Sequence, residues 1–271
     1  MATVTQQVVA PPVRAGWDGV RAVAAHWMRK YRRVWFGSAV SSFLGPLLYL
    51  AGMGFGLGLL VDANSGGVGG VPYVVFVAPG VLASTAMQVA TGETSFSVMG
   101  GIKWDRLYHG MLATPLGPRD VVGGQMVFVA FRVFTSCTVF FLVAAMLGTV
   151  RSPWALLAVP VATLCGLAFG SLMFAFAAGL ENDQGLTLAF RFVVTPMMLF
   201  AGTFFPVEQL PGWLQPVAWV TPLWHAVDAC RSLFVGTVTA GPFLGHIAYV
   251  AAWAVAGYLL AVRRLSRRMV V

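Results

Sequence analysis

The length of its uninterrupted apolar runs constrains this chain more than any other feature. Phe36–Val61, Val74–Val98, Val121–Leu147, Trp154–Leu180 and Phe243–Val262 each hold about 20 residues or more. That is the length a helix needs to cross a ~30 Å hydrocarbon core at ~1.5 Å per residue. A sixth run, Phe192–Phe205, carries Pro196 and stops at Pro206. It is too short to cross alone. It reaches span length by starting near Leu186 with Arg191 snorkelling to the interface, or it pairs with a re-entrant segment. Of the 271 residues, 58% are hydrophobic and only 10% charged, against ~25% charged in a soluble domain. Such a chain cannot coat a water-facing globule, which excludes a soluble enzyme, a fibre and a disordered chain. The expected class is an all-α polytopic membrane protein with six transmembrane helices.

The formal charge of +8 and pI near 10 would suggest nucleic acid for a soluble domain. In a membrane protein they describe basic flanks, so no nucleic-acid partner is expected. Fourteen of the seventeen Lys and Arg fall in the N-terminal segment, the second-to-third and fourth-to-fifth loops, and the tail. By the positive-inside rule these regions, both termini included, face the cytoplasm of a plasma (inner) membrane protein. Residues 1–16 read as a disordered lead without the apolar core of a signal peptide. In 17–35, Trp17, Val20, Ala24, Trp27, Met28, Tyr31 and Trp35 recur at helical spacing with basic residues elsewhere on the wheel. This fits an amphipathic helix in the headgroup region or a plain basic flank. The membrane domain then covers 36–262, and 263–271 forms a basic tail.

The sequence carries little that points to catalytic chemistry. There is no HExxH and no Gly-Lys-Ser/Thr phosphate loop, and no Ser, Cys or carboxylate adjoins a histidine in sequence. The three cysteines, Cys137, Cys165 and Cys230, lack metal spacing. No catalytic residue, metal site or cofactor of this chain is expected. Gly52/Gly56 and Gly54/Gly58 form two overlapping GxxxG pairs, which let helices approach closely in lipid. Packing within the chain and packing against a second copy fit equally. Glu93 and Arg132 are ionisable residues within spans, where a lone charge costs about 2.5–3.5 kcal/mol. Glu93 suits a polar cavity or cargo contact, or satisfaction by neighbouring helices. Arg132 can pair with it or snorkel.

Two loops stand out. Lys103-Trp104-Asp105-Arg106-Leu107-Tyr108-His109, followed by Met111 to Pro118, reads as a short amphipathic helix ended by Pro115 and Pro118. Its mixed charge and aromatics fit a docking surface or a solvated connector. From Pro206 to Pro242, prolines 206, 211, 216, 222 and 242 alternate with Trp213, Trp219 and Trp224. Proline breaks helices and Trp favours the interface, so short helices dipping back toward the bilayer are expected. Asp228 and Arg231 are spaced to pair along one of them.

These residues resemble the permease subunits of ABC-2 type exporters, closest to the NodJ-like and daunorubicin-resistance group. The signature is Gly202-Thr203-Phe204-Phe205-Pro206, Leu210-Pro211, Pro222-Leu223-Trp224-His225 and Arg231. A second match is Met111-Leu112-Ala113-Thr114-Pro115-Leu116 with Asp120 and Gly124; Gln125 stands where the group's pattern has Glu. The resemblance implies a type V-like exporter fold. Two permeases, identical or paralogous, would each dock a separate ATPase subunit that binds ATP and Mg. The loop near 101–118, with Lys103, Trp104, Asp105, Arg106, Leu107, Tyr108, Thr114 and Pro115, would be the coupling helix. Residues 206–242, with Pro206, Pro211, Pro222, His225 and Arg231, would be re-entrant helices capping the exit. Glu93, Phe200, Phe204 and Phe205 would line the pathway of an amphipathic or hydrophobic cargo: lipid, glycolipid, oligosaccharide or drug. His225 and Arg231 either touch that cargo or hold the external helices. An ion-coupled secondary transporter is the alternative, though no repeat is found and Glu93 is the sole carboxylate within a span.

Overall fold

The computed structural model describes residues 17–269, whose regular structure is helical, with no strand among them. Helix α1 (Trp17–Ala51) passes into a π-helical turn (Gly52–Leu57) and α2 (Gly58–Ser65). Then come α3 (Tyr73–Thr94), α4 (Phe96–Lys103), α5 (Leu107–Leu112) and α6 (Pro118–Met146). After α7 (Ala158–Gly179), α8 (Gln184–Ala189) continues through a second π-helical turn (Phe190–Val194) into α9 (Thr195–Phe200). The chain closes with α10 (Gln215–Val220), α11 (Pro222–Val235) and α12 (Ala240–Met269).

Among the described residues, five helical stretches are long and apolar enough to cross a membrane: Leu47–Ser65, Tyr73–Lys103, Pro118–Met146, Pro153–Gly179 and Ala240–Met269. The sixth apolar stretch, Gln184–Phe200, is shorter, about 26 Å at 1.5 Å per residue. It begins earlier than the predicted Phe192 and stops before Phe205, because the chain bends at Ala201–Phe205 with Gly202 at φ +79°. Only a residue without Cβ adopts that conformation cheaply. In a membrane every backbone group must be satisfied internally, and an all-helical chain with apolar exteriors meets that demand. The protein is an integral membrane protein.

Several predicted boundaries move. Residues 17–35 are not a separate helix: α1 runs unbroken past residue 36. Its early turns climb beside α6, with Gly19 against Asp120, Val20 and Val23 against Gly123 and Gly124, and Trp27 stacked on Phe128. A Cβ on Gly124 would stand 2.7 Å from the Val20 carbonyl oxygen, so glycine permits this contact. The basic tail is not separate either, since α12 stays helical to Met269. Pro118 does not end the loop helix; it opens α6 at a position where its missing N–H costs nothing.

At the centre lies α3, buried over most of its length. It packs against α7, which in turn packs along α12, while α6 sits between α7 and α1. Helix α11 is also interior: Leu223, Val227, Cys230, Leu233 and Phe234 are buried against α3, α7 and α12. Its start at Pro222 lies deep, because Tyr249, nine residues into α12, donates to the Val220 carbonyl (2.7 Å). The start of α11 is thereby held against α12 inside the bundle, while α10 stays largely exposed beside it. The three cysteines are buried and unbridged.

Candidate functional site

The predicted site residues separate into three places. One is the end of the bundle that carries α4, α5, the start of α6 and the end of α12. Most of the arginines lie there, and it is called the basic end below. Helix α4 stops at Lys103, and the chain turns through Trp104-Asp105-Arg106 into α5. Gly100 and Gly101 explain the turn's shape. A Cβ on Gly101 would collide with the Tyr108 ring (2.6 Å), and one on Gly100 would crowd Trp104 (3.2 Å). Tyr108 is turned inward and fully buried, its hydroxyl donating to Gln125 Oε1 on α6. Burial pushes its pKa up, so it stays a protonated donor. It cannot meet a partner, and this overturns its predicted place on a docking face. Trp104 (66% exposed), Asp105 and Arg106 project outward instead. Lys103 approaches Glu181 at 3.8 Å, and no ion pair engages Asp105 or Arg106 among the described residues. Arg106 has φ +47°, the one described non-glycine residue in the left-handed region. Thr114 turns its hydroxyl back to Met111 (2.6 Å), and with Pro115 it closes the loop before α6.

The second place is mid-bundle. Arg132 Nε donates to Glu93 Oε1 (2.9 Å), and its guanidinium lies over the Tyr31 ring (4.6 Å) with Nη1 donating to Tyr31 Oη (3.1 Å). The Arg132 side chain is 3% exposed. This cluster ties α1, α3 and α6. Mutual neutralisation answers the cost of the two charges, which makes Glu93 a structural partner here. It does not meet Phe200, Phe204 or Phe205.

The third place is the opposite end. Tyr73 Oη donates to the Phe204 carbonyl (3.1 Å), and Phe204 packs on Tyr49 at 5.2 Å between ring centroids. A cavity of about 640 Å³ opens there, lined by Tyr49, Met53, Tyr73, Leu199, Phe204 and Phe205 among others. It lies between the first two apolar stretches and the end of the Gln184–Phe200 stretch, and Phe200 is not among its lining residues. The predicted Asp228–Arg231 pair does not form. Arg231 Nη2 donates to the Gly202 carbonyl (2.6 Å) and Nε to the Phe76 carbonyl (3.4 Å), and its guanidinium stacks on the Phe76 ring (3.9 Å). Asp228 meets His246 Nε2 instead (3.2 Å), and His246 Nδ1 meets His225 Nδ1 (2.7 Å). The two histidines, distant in sequence, are therefore in contact, with one ring donating and the other accepting. Pro206 leads into a short turn, Leu214 N–H bonds to the Pro211 carbonyl (2.8 Å), and Pro222 starts α11 behind Thr221, which caps it by accepting from Trp224 N–H (3.3 Å). Tyr31, Phe76 and His246 escaped sequence reasoning because each acts across helices, where no local spacing betrays the contact.

The whole is an apolar helical bundle with an exposed charged knuckle at one end and an aromatic cavity at the other. The ABC-2 type transporter family matches residues 20–235, and the chain belongs to that family. It is 36% identical over 249 residues to Nodulation protein J of Rhizobium leguminosarum bv. viciae, covering 90% of this chain and 94% of the relative. It is 34% identical to Nodulation protein J of Rhizobium meliloti (strain 1021), covering 94% and 95%. It is 24% identical to the inner membrane transport permease YadH of Escherichia coli (strain K12), covering 93% and 96%.

Proposed function

We propose that this chain is the membrane subunit of an ATP-driven exporter that moves an amphipathic or hydrophobic cargo out across the plasma membrane. The basic end, and with it both termini, faces the cytoplasm, following the positive-inside rule. ATP and Mg bind a separate ATPase subunit that docks on Trp104, Asp105, Arg106 and the flanking Lys103, Leu107, Thr114 and Pro115, with the outer face of early α1 as a second contact. The carrying observation is that knuckle: it is exposed and charged, yet rooted by buried Tyr108 and Met111. A rigid anchor of this kind lets motion of a docked ATPase pass to α3 and α6 as a unit. The aromatic cavity beside Phe204 and Phe205 is the cargo pathway, completed by a second permease. Gly54 and Gly58 pack within the chain against Val74 and Tyr73, while a Cβ on Gly52 or Gly56 meets nothing within 4 Å. That open side suits a partner permease.

The test is co-purification of the permease with its ATPase, followed by measuring hydrolysis while candidate cargoes are added. Stimulation by lipid-like or drug-like compounds, lost in Trp104→Ala, is expected. A complex that answers only to hydrophilic solutes removes the cargo class, and transport stopped by a protonophore but not by ATP depletion replaces the reading with ion-coupled transport.

A further inference from the structure

A second cavity, of about 620 Å³, lies away from the aromatic pathway, between α7, the α8–α9 stretch and α12. Leu172, Phe176, Gly185, Leu188, Ala189 and Trp253 form much of its wall. The sole hydroxyl there, on Thr91, is spent on the Met87 and Gln88 carbonyls (2.8 and 3.1 Å). The π-helical turn Phe190–Val194 forms part of its wall, a distortion found frequently at functional sites. Nothing polar or ionic can be held in it. An alkyl chain can.

The same faces of α7 and α12 change character toward the basic end. Gly179 lies about two helical turns beyond Leu172, and Leu260 and Arg264 lie two and three turns beyond Trp253, so each set shares one helix face. There the walls become a third cavity, of about 440 Å³, edged by Gly179, Glu181, Arg263, Arg264, Arg267 and Arg268. Arg268 is committed: it donates to the Ala178 and Leu180 carbonyls (both 2.7 Å), capping the end of α7, and approaches Glu181 at 3.6 Å. Arg263, Arg264 and Arg267 are exposed and make no ion pair among the described residues. Arg264 lies directly over Gly179, where any Cβ would overlap its guanidinium. Four arginines thus face a single carboxylate, with an apolar cavity behind them.

We propose that these two cavities form one site for an anionic glycerophospholipid of the leaflet at the basic end. Its phosphate would sit on Arg263, Arg264 and Arg267, and an acyl chain in the cavity beside Ala189 and Trp253. Guanidinium groups suit phosphate oxygens, and basic pockets between spanning helices at this depth bind anionic headgroups. The lipid is a resident of the subunit, wedged between α12 and the α8–α9 stretch; the site depends on the chain being in a membrane and not on the cargo or the ATPase.

The experiment uses the purified full-length permease in neutral detergent, following its thermal unfolding as lipid is added. Phosphatidylglycerol is expected to raise the midpoint. Phosphatidylcholine with the same tails, inorganic phosphate and deacylated glycerophosphoglycerol are expected to leave it in place. In R263Q/R264Q/R267Q the apparent phosphatidylglycerol affinity should fall on the order of a hundredfold, with the lipid-free midpoint retained because these side chains are exposed. Ala189→Phe, which fills the tail cavity, should also lose the response. Equal protection by phosphatidylcholine would overturn the headgroup assignment. Protection by inorganic phosphate or the deacylated headgroup would show a free-anion site and overturn the tail assignment without any variant having to fold.

Discussion

The two ends of this permease treat charge in opposite ways. At the end that carries α10 and the start of α12, the ionisable side chains are engaged inside the chain: Arg231 between the Gly202 and Phe76 carbonyls and the Phe76 ring, Asp228 on His246, and His246 on His225. At the basic end, Asp105 and Arg106 stand exposed with no ion pair among the described residues, and the loop's buried polar contact, Tyr108 to Gln125, lies beneath them. A charge that the chain itself satisfies serves architecture. A charge held out on a rigid base serves a partner. The motif residues of the hairpin are thus tied into the fold, and the less distinctive loop carries the proposed coupling role.

The sharpest way to break this contrast is Arg231→Ala. It strips the Gly202 and Phe76 carbonyls of a charged donor and the Phe76 ring of its stacked cation. We expect a loss of about 3 kcal/mol in stability, read as a lower unfolding midpoint of the detergent-solubilised protein. Arg231→Lys should recover only part of it, since an ammonium cannot reach two carbonyls with a planar fork. If Arg231→Ala keeps the midpoint and changes cargo preference, the hairpin charge is a contact residue and the contrast fails.

Gly80→Val comes next. A Cβ at Gly80 would stand 2.7 Å from the Thr203 carbonyl oxygen, where α3 passes the Gly202–Thr203 bend. The chain must separate there, and the cost should be about 2 kcal/mol, measured on the same midpoint. The hydrogen bond between Ser84 and Thr203 (3.0 Å) should be lost with it. Tyr108→Phe is milder. It deletes one buried hydroxyl donor and leaves Gln125 Oε1 unpaired, for about 1 kcal/mol, and it should lower the coupling of ATPase to cargo only as far as it loosens the knuckle. An unchanged midpoint would show that Gln125 finds another donor.

Much of the bundle was legible in the sequence because a bilayer admits few solutions and long apolar runs become helices, whereas Pro118, read as the end of a helix, in fact starts one. The end of the Gln184–Phe200 stretch was misplaced because the apolar letters continue through Ala201–Phe205, where Gly202 at positive φ bends the chain, and hydropathy does not register a dihedral angle. Arg231 was assigned to Asp228 by helical spacing, yet a backbone carbonyl 29 residues away wins; carbonyls carry no sequence signature. Tyr108 was set among the docking residues by the loop's resemblance to a coupling helix. The clue to its inward turn was present in Gly100-Gly101, which clear the space its ring fills. The Arg132–Glu93 pair was among the possibilities, but Tyr31 could be placed beside it only once α1 was seen to climb along α6.

The smallest effect tests the basic end most cleanly. Arg106 holds φ +47°, a conformation that costs a residue with a Cβ about 1–2 kcal/mol and costs glycine little. Arg106→Gly therefore relieves folded-state strain, but glycine also leaves a more flexible unfolded chain, which returns up to about 1 kcal/mol. The net change should be a midpoint equal to or slightly above that of the parent. If the guanidinium serves only the fold, this variant should behave as a normal or better permease. If it is a docking group on a strained, outward turn, the same variant should remain as stable yet lose cargo-stimulated ATP hydrolysis in the assembled complex. Stability and coupling then move in opposite directions through one substitution, a result that a purely structural role for this loop cannot produce.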